Sequence, residues 1–344
     1  MEFSNSEVLI TGGCGSLAQT LVKVLMEEYK PRGIRLYNRD EGKVWLFSQK
    51  IAQWRKENPS LTTPISFCLG DVRDKTRLAI ACEGVNILIH TAAIKQLPAC
   101  EENPFEAVKT NVGGTQNIIE VALASNSIQK VFNIGTDKNC KPIQLYGATK
   151  LVAEKLIVDA NNYSKGIDRF PKFYSFRYGN IIGSKGSVVQ LFREQSHVGK
   201  ITITDKDMTR FWISLRRVAK FILFCIEQSY LSPLINGGEI FIPRMPSCSI
   251  MQIANIVAPG CKIEYTGIRD GEKLHEDLIH EDESLRVLQQ TLPDKFKELG
   301  MNDYYIINPK KEVRKTKFSY NSLTNDWHLN RAILQSWINE KYAY

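Results

Sequence analysis

The sequence has no long hydrophobic run, no Cys-x-x-Cys spacing and no cluster of histidines, and each absence removes a class of function. The longest lipid-like stretch, Phe221 to Ile226, is flanked by charges and falls far short of the ~20 apolar residues that span a bilayer. Met1-Glu2-Phe3-Ser4-Asn5 offers neither a basic start nor an apolar stretch, so a cytoplasmic protein without a secretory leader is expected. Eight scattered cysteines and five dispersed histidines point to reduced structural thiols and to no metal site. Charge of one sign is also scarce. The net +8 is spread along 344 residues, and the densest basic run (Lys310, Lys311, Arg314, Lys315, Lys317) lacks interleaved aromatics. No nucleic-acid partner is therefore expected, although a mild positive surplus suits a small anionic substrate.

What is present supports a large core. Apolar residues make up 43% of the chain, enough for one large or two interlocked domains. Short apolar runs at Val8–Ile10, Ile34–Tyr37, Ile65–Cys68, Val85–His90, Lys130–Ile134 and Phe173–Arg177 read as buried strands. Helical patterns alternate with them, the longest at Asn103–Ala124 and Tyr146–Asn162. This α/β alternation predicts a doubly wound parallel sheet with helices on both faces. After Gly179 the pattern turns irregular, as suits a smaller C-terminal substrate-binding portion. The expected division is a nucleotide-binding domain over 1–179, to which segments of about 205–235 return, and a mainly substrate-binding part over 180–344.

The first strand runs into Thr11-Gly12-Gly13-Cys14-Gly15-Ser16-Leu17-Ala18 and then a helical pattern through Leu21, Leu25 and Met26. Glycines at such a junction let the backbone approach a pyrophosphate beside a helix N-terminus. The candidate dinucleotide contacts there are Gly12, Gly15, Ser16 and Leu17. The second strand ends in Asn38-Arg39-Asp40, where Arg39 and Lys43 favour the extra phosphate of NADP over NAD. Asp40 either meets the ribose or caps the next helix. Asp71, in Gly70-Asp71-Val72 after the third strand, lies either at an adenine edge or at a helix cap.

Tyr146 and Lys150 stand one helical turn apart, so their side chains leave the same face. An ammonium there favours phenolate, which can take a hydroxyl proton while a nicotinamide removes hydride. Just upstream lies Thr136-Asp137-Lys138, a threonine followed by an acid-base pair.

With these features in place the chain resembles the extended short-chain dehydrogenase/reductases, which have a Rossmann fold. The likeness narrows through Gly70-Asp71-Val72-Arg73-Asp74, His90-Thr91-Ala92-Ala93-Ile94-Lys95, Thr110-Asn111, Arg177-Tyr178-Gly179-Asn180, Met208-Thr209-Arg210-Phe211-Trp212 and Gly271-Glu272-Lys273-Leu274-His275-Glu276. Together these are similar to soluble UDP-N-acetylglucosamine 4,6-dehydratases, especially the 5-inverting type of the pseudaminic acid pathway. The resemblance runs from about Val8 to the Trp327 region.

The resemblance implies UDP-N-acetylglucosamine as substrate, tightly held NADP, and a homo-oligomer, dimer or hexamer. It adds Val72, Ala92 and Ala93 to the cofactor contacts and brings Lys95 near the substrate. Asn180 and Arg269 would meet the diphosphate, Glu272 the ribose, and Val189 and Thr202 would line the nucleotide pocket. Arg210 fits either the substrate or an interdomain salt bridge. Of the catalytic set, Tyr146 with Lys150 would deprotonate the 4-hydroxyl and Thr136 would hold its oxygen. Lys138 as a neutral amine would take the carbon-5 proton, and Asp137 in its acid form would protonate the departing 6-hydroxyl. A carbon-5-retaining dehydratase and a UDP-sugar 4-epimerase are the alternatives. An epimerase has no use for the Asp137-Lys138 pair. Asn139-Cys140-Lys141 is bulkier and more cationic than the family's small residues; Cys140 reads as a packed thiol.

Overall fold

In the computed structural model, residues 3–163, 171–184 and 186–340 are described, and they form two compact units. The first comprises Met1–Gly135, Val152–Phe176 and Ala219–Ile240; the second comprises Thr136–Leu151, Arg177–Val218 and Phe241–Tyr344.

The first unit is built on β1 (Glu7–Thr11), β2 (Gly33–Asn38), β3 (Ile65–Leu69), β4 (Ile87–His90), β5 (Lys130–Ile134) and β6 (Lys172–Phe176). They pair in parallel in the order β6-β5-β4-β1-β2-β3. This is the Rossmann order, with its reversal between β1 and β4. The helices are α1 (Ser16–Val24), α2 (Glu41–Glu57), α3 (Lys75–Ala81), α4 (Leu97–Glu102), α5 (Pro104–Val108), α6 (Gly114–Ala124) and, from Val152 on, α7 (Leu145–Ala160), whose start belongs to the second unit. Side-chain alternation along the strands assigns the two faces. Leu9, Leu88, Val131 and Phe173 pack with Leu78 of α3, Ile118 and Ala122 of α6, and Ile157 of α7. On the other face Phe67 meets Phe47 of α2, with ring centroids 6.3 Å apart.

Each strand lies within two residues of its predicted span. The predicted helix Asn103–Ala124 is interrupted, because Lys109–Gly113 forms a π-helical turn between α5 and α6. A second π-helical turn, Leu25–Tyr29, extends α1.

The second unit contains smaller sheets. Strands β7 (Asn180–Ile182), β9 (Thr209–Ser214) and β11 (Ser247–Ser249) form one, with β9 central. Between them in sequence come α8 (Val188–Ser196) and β8 (Lys200–Ile203); α9 (Leu215–Leu231) and β10 (Ile240–Pro243) follow, of which Ala219–Ile240 belongs to the first unit. Strand β12 (Lys262–Tyr265), after α10 (Ile250–Val257), pairs in parallel with β8. Strand β13 (Asp277–Ile279) pairs antiparallel with β16 (Tyr320–Asn321) as a two-stranded sheet, whereas β14 (Val287–Thr291) pairs antiparallel with β15 (Asp303–Ile307) in the large sheet, where β15 neighbours β10. Two helices complete it, α11 (Glu281–Ser284) and α12 (Arg331–Asn339).

Leu88 sits at zero exposure inside the first unit's core. Leu88→Ala should lower unfolding stability by about 2–5 kcal/mol, read from the urea midpoint.

Candidate active site

In the first unit the chain leaves β1 through backbone that only glycine accommodates. Gly12 has φ +63°, and a Cβ there would lie 2.9 Å from Thr91 Oγ1 and 3.0 Å from the Ala92 backbone. A Cβ on Gly13 would come 2.8 Å from Leu36 Cβ. The turn closes as Gly15 N donates to Gly12 O at 2.8 Å. Gly15 then serves as the N-cap of α1 without any side-chain cap, so the first amides of α1, from Ser16 and Leu17, are not claimed by a capping side chain. Such a cradle fits a dinucleotide pyrophosphate. Cys14, buried in the turn, has its thiol pushed up to about 11 by burial and by the Asp40 charge, with Lys43 opposing.

At the end of β2, Asp40 caps α2: its Oδ1 accepts from Lys43 N at 2.9 Å and its Oδ2 pairs with Lys43 Nζ at 2.9 Å. Arg39 is exposed and lies 3.6 Å from Asp71 Oδ2. Arg73 holds the same carboxylate from Nη2 at 2.7 Å and from Nε at 3.0 Å. Burial raises the Asp71 carboxyl, but these hydrogen bonds and charges outweigh it and leave the group below its ordinary value. Val72 is buried against Gly114, where a Cβ would strike Val72 Cγ2 at 2.7 Å. Ala92 N donates to Thr11 Oγ1 at 3.3 Å, and Ala92 and Ala93 are half-buried. Asn111, in the π-helical turn, clamps Ile94 by both N–H and C=O at 2.8 and 2.9 Å, which fixes the chain next to exposed Lys95.

In the second unit Thr136 caps a short turn, Asp137–Asn139. Its hydroxyl donates to Asp137 Oδ1 at 2.8 Å, and Asp137 N donates to Tyr178 O at 2.9 Å. Asp137 is fully buried. Lys138 Nζ donates to the same Oδ1 at 3.1 Å and lies 3.6 Å from Glu276 Oε1. Asp137 Oδ2 has no hydrogen-bond partner. Tyr146 and Lys150 are both buried on the first turns of α7. The start of α7 presses on the turn, since a Cβ on Gly147 would lie 2.5 Å from Lys138 O. Tyr178 neighbours both groups: burial first, then the charges of Tyr146 and Asp137, push its phenol well above the ordinary range.

Lys138 corrects the expectation of a neutral amine. Burial does disfavour its charge, but Asp137 and Glu276 outweigh burial and the nearby Arg210, so the ammonium is held well above the usual lysine range. Its partners, rather than Lys150, set its charge.

Arg210 is held by the backbone of its own unit. Its guanidinium donates to the carbonyls of Thr209, Leu274 and Lys273 at 2.7, 2.9 and 2.8 Å, and lies 3.8 Å from Glu272 Oε1. It thus organises the 271–276 turn. The structure brings Thr136, Asp137, Lys138, Arg210 and Glu272 together and leaves others apart. Val189 packs into a small core with Ile201, Trp212 and Ile253. Thr202 accepts from Gln195 Nε2 at 2.9 Å on β8, Asn180 is half-buried on β7, and Arg269 is exposed in a loop between Gly267 and Gly271, both at positive φ.

Sequence reasoning missed three contributors: Glu276, Lys273 and the Arg177–Glu283 pair. Lys273 Nζ donates to Cys140 O at 2.6 Å and lies 3.6 Å from Glu276 Oε2. Arg177, next to Tyr178, is bidentate to Glu283 at 2.5 and 3.1 Å. The signal available was their place in the Arg177-Tyr178 and Gly271–Glu276 motifs. The Cys140 thiol is pushed up to about 12, chiefly by burial, so it packs rather than reacts. Among the described residues no group of three or more histidine, cysteine or acidic side chains could hold a metal ion. Glu283→Ala should strand the buried guanidinium and cost about 3–5 kcal/mol in thermal or urea unfolding.

Residues 8–296 match the family model described as polysaccharide biosynthesis protein. The chain is similar to the UDP-N-acetylglucosamine 4,6-dehydratase (inverting) of Campylobacter jejuni, 41% identical across 93% of this chain and 89% of that protein. It is 34% identical to a UDP-glucose 4-epimerase of Rickettsia rickettsii, over 90% and 89%. The X-ray structure of Pen from Bacillus thuringiensis has a TM-score of 0.83 at 33% identity, covering 100% of both chains.

Proposed function

We infer the reaction from one premise: the chain belongs to the polysaccharide biosynthesis protein family, among the extended short-chain dehydrogenase/reductases. The protein dehydrates UDP-N-acetylglucosamine to the 6-deoxy-4-keto sugar with inversion at carbon 5. The observation that carries this reading is the Asp137–Lys138 ion pair, with its carboxylate fully buried, on the turn that the start of α7 bearing Tyr146 and Lys150 packs against, in a chain so similar to an inverting dehydratase.

The cofactor is a nicotinamide dinucleotide held at Gly12, Gly15, Ser16 and Leu17, with Asp71, Val72, Ala92 and Ala93 as further contacts. Arg39 and Lys43, both more than half exposed, favour NADP. Bound there, the nicotinamide supplies reversible hydride exchange with carbons 4 and 6. Tyr146, assisted by Lys150, accepts the 4-hydroxyl proton while Thr136 steadies the oxygen. The resulting ketone acidifies carbon 5. Asp137 Oδ2 accepts that proton, and the Lys138 ammonium donates one to the departing 6-hydroxyl, which leaves as water. The two roles are thus the reverse of those drawn from sequence, because the lysine carries the proton at rest. A proton from solvent delivered to carbon 5 on the opposite face inverts it, Asp137 passes its proton back to Lys138, and Tyr146 releases the 4-hydroxyl proton to solvent. Asn180, Arg269 and Glu272 bind the UDP moiety, and Lys95 lies toward the sugar. A homo-oligomer is proposed as the assembly; among the described residues no helix is long and apolar enough to cross a membrane.

The 34% relative favours 4-epimerase activity as a second reading. That reaction leaves Asp137 and Lys138 without work.

In heavy water, proton NMR should show UDP-N-acetylglucosamine converted to product with deuterium at carbon 5. Interconversion of carbon-4 epimers without deuterium at carbon 5 would identify an epimerase instead. Tyr146→Phe should lower kcat by about 10²–10⁴-fold. In Lys138→Ala the reduced-nicotinamide absorbance should build up during a single turnover, because oxidation proceeds and elimination does not.

A further inference from the structure

Glu276 is buried, with 3% of its side chain exposed, and takes no step in the reaction above. Burying a carboxylate is costly unless other groups use its charge, and here three do. Lys138 Nζ lies 3.6 Å from Oε1, Arg210 Nε 4.0 Å from Oε1, and Lys273 Nζ 3.6 Å from Oε2. Arg210 and Lys273 are themselves fixed by backbone carbonyls, so Glu276 is anchored from behind.

We propose that Glu276 is a positioning residue that holds the Lys138 ammonium on Asp137 Oδ1 and thereby keeps Asp137 Oδ2 open to exchange a proton with substrate. Asp137 Oδ1 already takes the Thr136 hydroxyl as well as Lys138, whereas Oδ2 takes no hydrogen bond. An ammonium with three donors facing a lone carboxylate could swing across to bridge both oxygens. A second carboxylate on its other side removes that freedom. The remaining charged and titratable groups facing the cluster already have partners of their own. Glu272 lies by Arg210, Asp277 is 3.9 Å from Lys141, His275 is bonded to Thr209, and Tyr178 stands by Asp137. None of them substitutes for Glu276 at Lys138.

The proposal rests on the dehydratase reading, but its first test does not. Acylation of Lys138 by acetic anhydride, in the full chain without sugar and at mildly alkaline pH, reports the neutral amine and is read by peptide mass spectrometry against other lysines. Glu276→Gln removes the charge while keeping the size. Lys138 should then label faster by about tenfold or more, because losing an opposite charge at this range lowers an amine by about one unit or more. Glu276→Asp withdraws the carboxylate by one methylene. It should give a smaller rise in the same direction, and it serves if the glutamine variant does not fold.

In turnover, the alkaline limb of kcat should move to lower pH, since an ammonium with one carboxylate fewer is lost earlier as pH rises. KM for UDP-N-acetylglucosamine should stay within about twofold, because Glu276 is buried facing Lys138, Arg210 and Lys273. Unchanged labelling of Lys138, or lower thermal stability with labelling and pH profile unmoved, would overturn the assignment. Failure to dehydrate the sugar would instead strike the dehydratase reading, while the labelling result would still decide the role of Glu276.

Discussion

The site depends on one constraint: an ammonium and a carboxylate buried together must satisfy each other. Asp137 is fully buried and could not be charged there alone, while Lys138 is half-buried beside it. Their 3.1 Å contact, with Glu276 as second acid, keeps both charges in place at a cost the surrounding fold must meet. The second unit is arranged around that need. Thr136 caps the turn, the Tyr178 carbonyl receives the Asp137 amide, and the start of α7 leaves no room for a side chain at Gly147.

The first unit solves a different problem. There the binding surface is made of backbone, so what matters is the absence of side chains. Gly12 and Gly13 cannot carry a Cβ without striking Thr91, Ala92 or Leu36, and Gly15 opens α1 without a competing cap. The Asn111 clamp on Ile94 then orders the loop after β4. Its place in a π-helical turn is consistent with such turns being tolerated where they aim a working side chain.

Much of this was legible in sequence, for reasons specific to each part. Buried parallel strands are continuous apolar runs, so Val8–Ile10 and Lys130–Ile134 stand out, and the glycine turn follows directly from the first. Tyr146 and Lys150 were readable because helical spacing alone puts them on one face. The π-helical turns were not, since one extra residue leaves the apolar pattern of Asn103–Ala124 almost intact. The charge of Lys138 was misread because its second carboxylate, Glu276, is remote in the chain, and only the tertiary fold brings it within 3.6 Å. Arg210 looked like a ligand for anions, but the carbonyls it binds are invisible in a list of residue types. Val189 illustrates a further limit, because an apolar residue assigned to a pocket wall by resemblance packs here into a local core.

Neutron diffraction from crystals exchanged into heavy water would locate the protons of the central pair directly. The account predicts three deuterons on Lys138 Nζ, one aimed at Asp137 Oδ1, and none on either oxygen of Asp137. Two deuterons on Nζ, or one bound to Asp137 Oδ2, would contradict it.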